Sequence, residues 1–246
     1  MNIINPYRFS AAAASLNDGL VSFWSLNENT TGTRTDYVDG NDLTSVNTVV
    51  SSVTNPIVYS RSALFTAANS EELTITDASQ TGLNPSGSFT ASCWVRGDVF
   101  ASSTSTGFLM KYLTTGNQRG YALYYNTGFT PNRLSVTVSS DGSFANSTTA
   151  YEEITLSALT WYHLAIVYDD GASTIDVYRD GTSVASGSHS GGIHASTDDF
   201  RLGNATFGAY FGGRMEAVGF WSRALDSSEI TQLADETEPF YDDVIV

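Results

Sequence analysis

The chain has 246 residues, 41% of them hydrophobic and 12% aromatic, which is enough for one sizeable all-β core. Only 15% are charged, and 26 acidic against 11 basic residues leave a net charge of −15. One lysine, Lys111, and ten scattered arginines exclude the clustered cationic footprint of a nucleic-acid binder, and the acidity excludes attraction to an anionic membrane surface.

Residues 1–18 read as an N-terminal arm. Asn5-Pro6 favours an extended start, and the stretch from Arg8 to Leu16 suits either a short helix or an extended segment. Ile3, Ile4, Tyr7 and Phe9 are too many apolar residues for a solvated tail, so the arm is expected to dock on the domain or on another chain. A basic region followed by an apolar run is missing. Synthesis in a cytoplasm is therefore expected, with release as part of a particle.

Strand signals begin at Leu20-Val-Ser-Phe-Trp-Ser-Leu26 and return at Glu72–Ile75 and Ser88–Arg96, where Phe89, Ala91, Cys93 and Val95 share one face. They continue at Gly107–Tyr112, Gly120–Tyr125, Arg133–Ser139, Trp161–Tyr168, Ser173–Arg179, Phe200–Leu202 and Arg214–Trp221. Asp141-Gly142, Asp170-Gly171 and Asp180-Gly181 supply turn residues that tolerate positive φ. Many short strands without strand–helix–strand alternation predict an all-β antiparallel sandwich of jelly-roll type, and Trp24, Trp94, Trp161 and Trp221 are expected in its core. Asp226-Ser-Ser-Glu229 is a capping box, and with Ile230 and Leu233 it predicts one short helix from about residue 227 to about 234. Residues 236–246 form a tail that ends in Val244-Ile-Val246 and is expected to dock like the arm. One domain over 19–235 with two appendages follows.

Cys93 lies in a strand pattern and reads as a small buried hydrophobe; a single cysteine excludes an intrachain disulfide. His163 reads as a packing residue. His189 and His194 are spaced poorly for zinc. The sequons at Asn29, Asn146 and Asn204 read as chance. Glu71-Glu72 and Glu152-Glu153 are neighbours on strands, so their side chains point to opposite faces and cannot flank one glycosidic bond.

The order of the motifs resembles the laminin-G-like jelly rolls of the concanavalin A-like lectin/glucanase superfamily. The resemblance is carried by Gly19–Glu28, Asp36-Tyr-Val-Asp-Gly-Asn-Asp-Leu43, Ala63–Leu73 (with Ala68 where the family carries glycine), Gly87–Val95, Trp161–Asp169, Val177–Gly181 and Phe211–Asp226. It covers about residues 19–235. It implies a calcium ion held by Asp36, Asp39 and Asn41 of one loop with Glu216 of a late strand, where relatives mostly carry aspartate. It also implies carbohydrate binding, with Tyr112, Tyr125, Phe129, Tyr151, Phe207 and Tyr210 as candidate stacking residues. The clustered Glu-x-Asp-x-x-Glu strand of the superfamily's glucanases has no counterpart, so the expected role is non-enzymatic.

Ile4-Asn-Pro-Tyr-Arg-Phe9 is similar to the opening of many bacteriophage virion proteins. That implies a capsid decoration or tail component which assembles with other virion proteins through its two appendages, as a homo-oligomer or otherwise, and is able to meet host glycans. The alternative is a free calcium-dependent carbohydrate-binding module or adhesion domain.

Overall fold

The structure, a computed structural model, describes residues 16–100 and 105–235. The expected arm over 1–18 and tail over 236–246 therefore lie outside the described residues, apart from residues 16–18. Fifteen strands are formed by the described residues: β1 (Leu20–Trp24), β2 (Thr44–Val46), β3 (Val50–Ser52), β4 (Ser62–Phe65), β5 (Glu72–Ile75), β6 (Phe89–Gly97), β7 (Ser105–Leu113), β8 (Gln118–Asn126), β9 (Arg133–Gly142), β10 (Ser147–Glu153), β11 (Tyr162–Asp169), β12 (Thr174–Arg179), β13 (Thr182–Ser188), β14 (Phe200–Leu202) and β15 (Gly213–Trp221). One helix, α1 (Ser227–Leu233), closes the described part of the chain.

The strands make two antiparallel sheets. One has eight strands in the order β13-β12-β11-β6-β15-β4-β3, with β1 also pairing with β15; the other has seven in the order β10-β9-β8-β7-β14-β5-β2. Side chains alternate across each strand. Phe89, Ala91, Cys93 and Val95 of β6 thus face Leu109, Tyr121, Leu123, Leu134, Val136 and Val138 of the other sheet in one continuous core. Phe89 stacks on Phe220 and Trp24 on Phe200, with ring centroids 5.5 and 5.3 Å apart. Burial of this apolar surface is the main force holding the sheets together.

Part of the outer face of the eight-stranded sheet is apolar as well, and α1 covers that part. Ile230 and Leu233 pack on Ala165, Val167 and Trp221. Asp226 caps the helix as its sequence predicts: it accepts from the backbone N–H groups of Ser228 and Glu229, while Glu229 accepts from the Asp226 N–H.

Two expectations need correcting. Trp161 precedes β11, is only partly buried, and donates its indole N–H to the Asn55 carbonyl, so it ties a loop instead of filling the core. At Asp170-Gly171 the left-handed residue is Ser173; Asp180 and Gly181 do both adopt positive φ, 51° and 79°.

Candidate functional site: the aromatic face of the seven-stranded sheet

The outer face of the seven-stranded sheet is left open by α1 and carries a line of aromatic side chains. Tyr124 on β8 and Tyr151 on β10 both pair with Ser135 of β9, so their side chains rise on the same face, two strand spacings or about 10 Å apart. Phe207 meets Tyr112 and Tyr124 edge-on, each at 5.1 Å between centroids. At the other end the Arg133 guanidinium carbon lies 4.0 Å from the centroids of both Phe129 and Tyr151, a cation sandwiched between two rings. Phe129 and Tyr151 are 45% and 40% exposed, among the few large hydrophobic side chains that face solvent.

Local sequence explains the placement. The loop after β14 is pinned to the sheet by Asn204, which donates to Glu72 at 2.5 Å, and by Thr206, which donates to the Tyr112 carbonyl. Gly107 makes room for this loop: a Cβ there would come within 2.2 Å of the Asn204 carbonyl oxygen. The strap so held drops Phe207 between the two tyrosines. Hydroxyls line the row beside it. Thr137 hydrogen-bonds the Tyr124 hydroxyl at 3.1 Å and the exposed Thr149 at 2.7 Å.

Of the six candidate stacking residues, Tyr112, Phe129, Tyr151 and Phe207 belong to this line, though Tyr112 is largely covered by its neighbours. Tyr125 does not. Its ring is fully buried, and its hydroxyl donates to the Ile154 carbonyl and accepts from the Leu156 N–H. It belongs to the core because β8 alternates, and the residue that belongs on the face is its neighbour Tyr124, which sequence reasoning missed. Tyr210 lies elsewhere, in a cleft of about 260 Å3 lined also by Ala67, Asp98, Val99 and Thr106.

The implied calcium ligands do not fit the ion. The Asp36 carboxylate accepts from the backbone N–H groups of Phe23, Val38, Asp39 and Asn41 and from the Ser22 hydroxyl. Asn41 spends its amide on Thr81 and Ser22. Glu216 accepts from three consecutive N–H groups, Ile57, Val58 and Tyr59, at 2.8–3.0 Å. Converging N–H donors suit an anion and repel a cation, so these carboxylates organise loops. Asp39 is exposed and joins neither array as an acceptor.

The two adjacent glutamate pairs are likewise engaged. Glu72 pairs with Arg201 at 2.9 Å, Glu152 with Arg179 at 2.8 Å and Glu153 with Arg133 at 3.3 Å, while Glu71 accepts from Thr66 N–H and Asn69. His163 is buried edge-on against Trp94, and burial lowers it to about 3, so it stays neutral. His189 holds its own loop through Thr148 and the Gly192 carbonyl. Burial pushes the Cys93 thiol up to about 12, which leaves it inert at neutral pH.

Two antiparallel sheets closed on one core define a jelly-roll class of domain, and known proteins share the fold. A family described as the concanavalin A-like lectin/glucanases superfamily, of laminin-G type, matches residues 67–231, and the chain belongs to it. No curated protein matches the sequence. Among solved structures, domain 4 of AbnA, an extracellular arabinanase from Geobacillus stearothermophilus solved in complex with arabinotriose, superposes with a TM-score of 0.65 at 17% identity, over 88% of this chain and 98% of that one. Botulinum neurotoxin type C, whose cell entry depends on interaction with two ganglioside molecules, superposes with a TM-score of 0.66 at 13% identity, over 88% of this chain and 51% of that one. The binding domain of Paraclostridial Mosquitocidal Protein 1 gives 0.62 at 16% identity, over 88% and 52%. The chain thus spans about half the length of the toxin chains it resembles.

Proposed function

We propose that this chain is a non-enzymatic glycan-recognition domain, carried on a phage particle as a capsid decoration or tail component, which reads sugars on the outer face of its seven-stranded sheet. The observation that carries the reading is the line Tyr112–Phe207–Tyr124–Tyr151–Phe129 with hydroxyls and a guanidinium beside it. A sugar ring offers a C–H face that stacks on an aromatic ring, and a rim of hydroxyls that needs donors and acceptors close by; this face supplies both. Two structural neighbours lend support, the AbnA domain in complex with arabinotriose and the neurotoxin whose cell entry depends on gangliosides. The engagement of Glu71, Glu72, Glu152 and Glu153 by partners supports binding without cleavage. The particle context rests on the opening Ile4–Phe9 motif.

A glycan array probed with the wild-type chain and with Tyr151→Ala tests the binding reading. Specific signals that Tyr151→Ala abolishes are expected, and no signal on any glycan would overturn it. Mass spectrometry of purified particles tests the context. Glycan binding by a chain absent from particles would make it a free module.

A further inference from the structure

Lys111, the only lysine, is fully buried on β7. Its ammonium donates to three oxygens: Asp77 Oδ1 at 2.6 Å, the Ser196 carbonyl at 2.5 Å and the Asp198 carbonyl at 2.5 Å. Three donors thus meet three acceptors, and the acceptors come from two separate loops, one after β5 and one before β14. Two more buried oxygens in the same segments, Asn84 Oδ1 and Asp198 Oδ2, have no hydrogen-bond partner, and Asp198 is itself nine-tenths buried. Asp77, Asp198 and Asp199 surround two cations, Lys111 and Arg201. Burial lowers Lys111 from its ordinary value, and the hydrogen bond and charge of the Asp77 carboxylate oppose that. Burial would raise Asp77; the hydrogen bond and charge of Lys111, with Asn84 and Gln80, outweigh it.

Carbonyls and a carboxylate converging on one buried point are the ligand chemistry of a hard cation such as calcium or sodium. We propose that this oxygen cage is a cation site whose resident cation is the protein's own Lys111 ammonium, and that this tethered charge holds the two loops where a bound ion otherwise would. The cage is separate from the Asp36 and Glu216 arrays, whose N–H donors turn a cation away. It also braces the candidate site. Ser196 donates to the Gln118 carbonyl and Thr197 N–H donates to the Gln118 side chain, next to Arg119, which lies 6.0 Å from the Tyr112 ring.

The test is Lys111→Ala, which removes the ammonium and leaves the oxygens, studied by thermal unfolding and calorimetry in calcium chloride, magnesium chloride, sodium chloride and chelator. Lys111→Ala is expected to unfold at lower temperature in chelator, to bind one calcium ion per chain, and to gain about 3–5 °C per tenfold rise in calcium above the dissociation constant, with the wild type indifferent. Asp77→Asn in the Lys111→Ala background should lose most of that response. A folded Lys111→Ala chain that ignores every cation would overturn the proposal, and so would one that stays unfolded in all of them. A calcium response equal in the wild type would overturn it too, because the cage would then not be the site.

Discussion

His163 and Glu216 flank the same residue: His163 pairs with Trp94 across β11–β6, and Glu216 pairs with Trp94 across β15–β6. The three side chains form one row on the outer face of the eight-stranded sheet. Loop residues 57–59 cover one end, and Trp94 donates its indole N–H to the Leu233 carbonyl of α1. Burial pushes Glu216 up to about 7 from 4.5, with the N–H groups of Tyr59, Ile57 and Val58 opposing, and burial lowers His163 to about 3 from 6.5.

The two shifts act on stability with opposite signs. Glu216 has a raised folded value, so its contribution is full below about pH 4.5 and is lost as the pH rises through about 7. His163 is a base with a depressed folded value, so its contribution is full above about pH 6.5 and is lost as the pH falls toward 3. Between about pH 4.5 and 6.5 the slopes, each about 1.4 kcal/mol per pH unit, cancel. Urea denaturation across that window is expected to show little dependence from this row in the wild type. His163→Phe should leave stability falling as pH rises, and Glu216→Gln should leave it falling as pH drops. Two variants that both track the wild-type profile would refute the assignment.

Asp36 is predicted to be a loop organiser. Asp36→Ala strands buried N–H donors and should cost about 3 kcal/mol, while Asp36→Asn, which keeps one carbonyl oxygen, should cost less. The wild-type melting temperature should be the same in millimolar calcium and in chelator. A calcium-dependent rise that Asp36→Asn abolishes would restore this loop as a metal site.

The capping box gives a third expectation. Asp226→Ala removes the acceptor for two helix N–H groups and should destabilise the domain by about 1 kcal/mol. Because α1 covers Trp221 and the Trp94 indole, that loss should be accompanied by a change in tryptophan fluorescence. A stability equal to wild type would mean that packing of Ile230 and Leu233 alone holds the helix.

Much of this architecture is legible in local pattern. Alternation in Phe89–Val95 and Leu134–Val138 placed the core, and Asp226-x-x-Glu229 placed the helix, because each needs only neighbours along the chain. The candidate site was half legible. Tyr124-Tyr125 offers two adjacent rings, alternation says that one is inside, and only the long-range hydrogen bonds of Tyr125 to residues 154 and 156 decide which. The Asp36-x-x-Asp-Gly-Asn41 segment is the same string whether it wraps an ion or caps its own backbone; the direction of its N–H groups decides, and that is a property of the folded loop. Lys111 and its three oxygens come together across residues 77, 111, 196 and 198, a convergence with no periodic signature.

The aromatic face itself predicts a separation of stability from binding. Tyr151 is 40% exposed on the edge strand β10, and its principal aromatic-face contact is the Arg133 guanidinium. Tyr151→Ala should therefore change stability by no more than about 1 kcal/mol while removing a stacking surface, with glycan affinity falling by tenfold or more. Phe129→Ala, on the other side of the same guanidinium, should behave alike. Tyr125→Phe should do the reverse. It leaves the Leu156 N–H and the Ile154 carbonyl buried without their partner, a cost of about 1–3 kcal/mol, yet changes nothing on the outer face. Paired measurements of unfolding free energy and glycan affinity on the three variants check this. If Tyr125→Phe lowers affinity as much as Tyr151→Ala does, affinity is following global stability and the outer face loses its claim to the sugar.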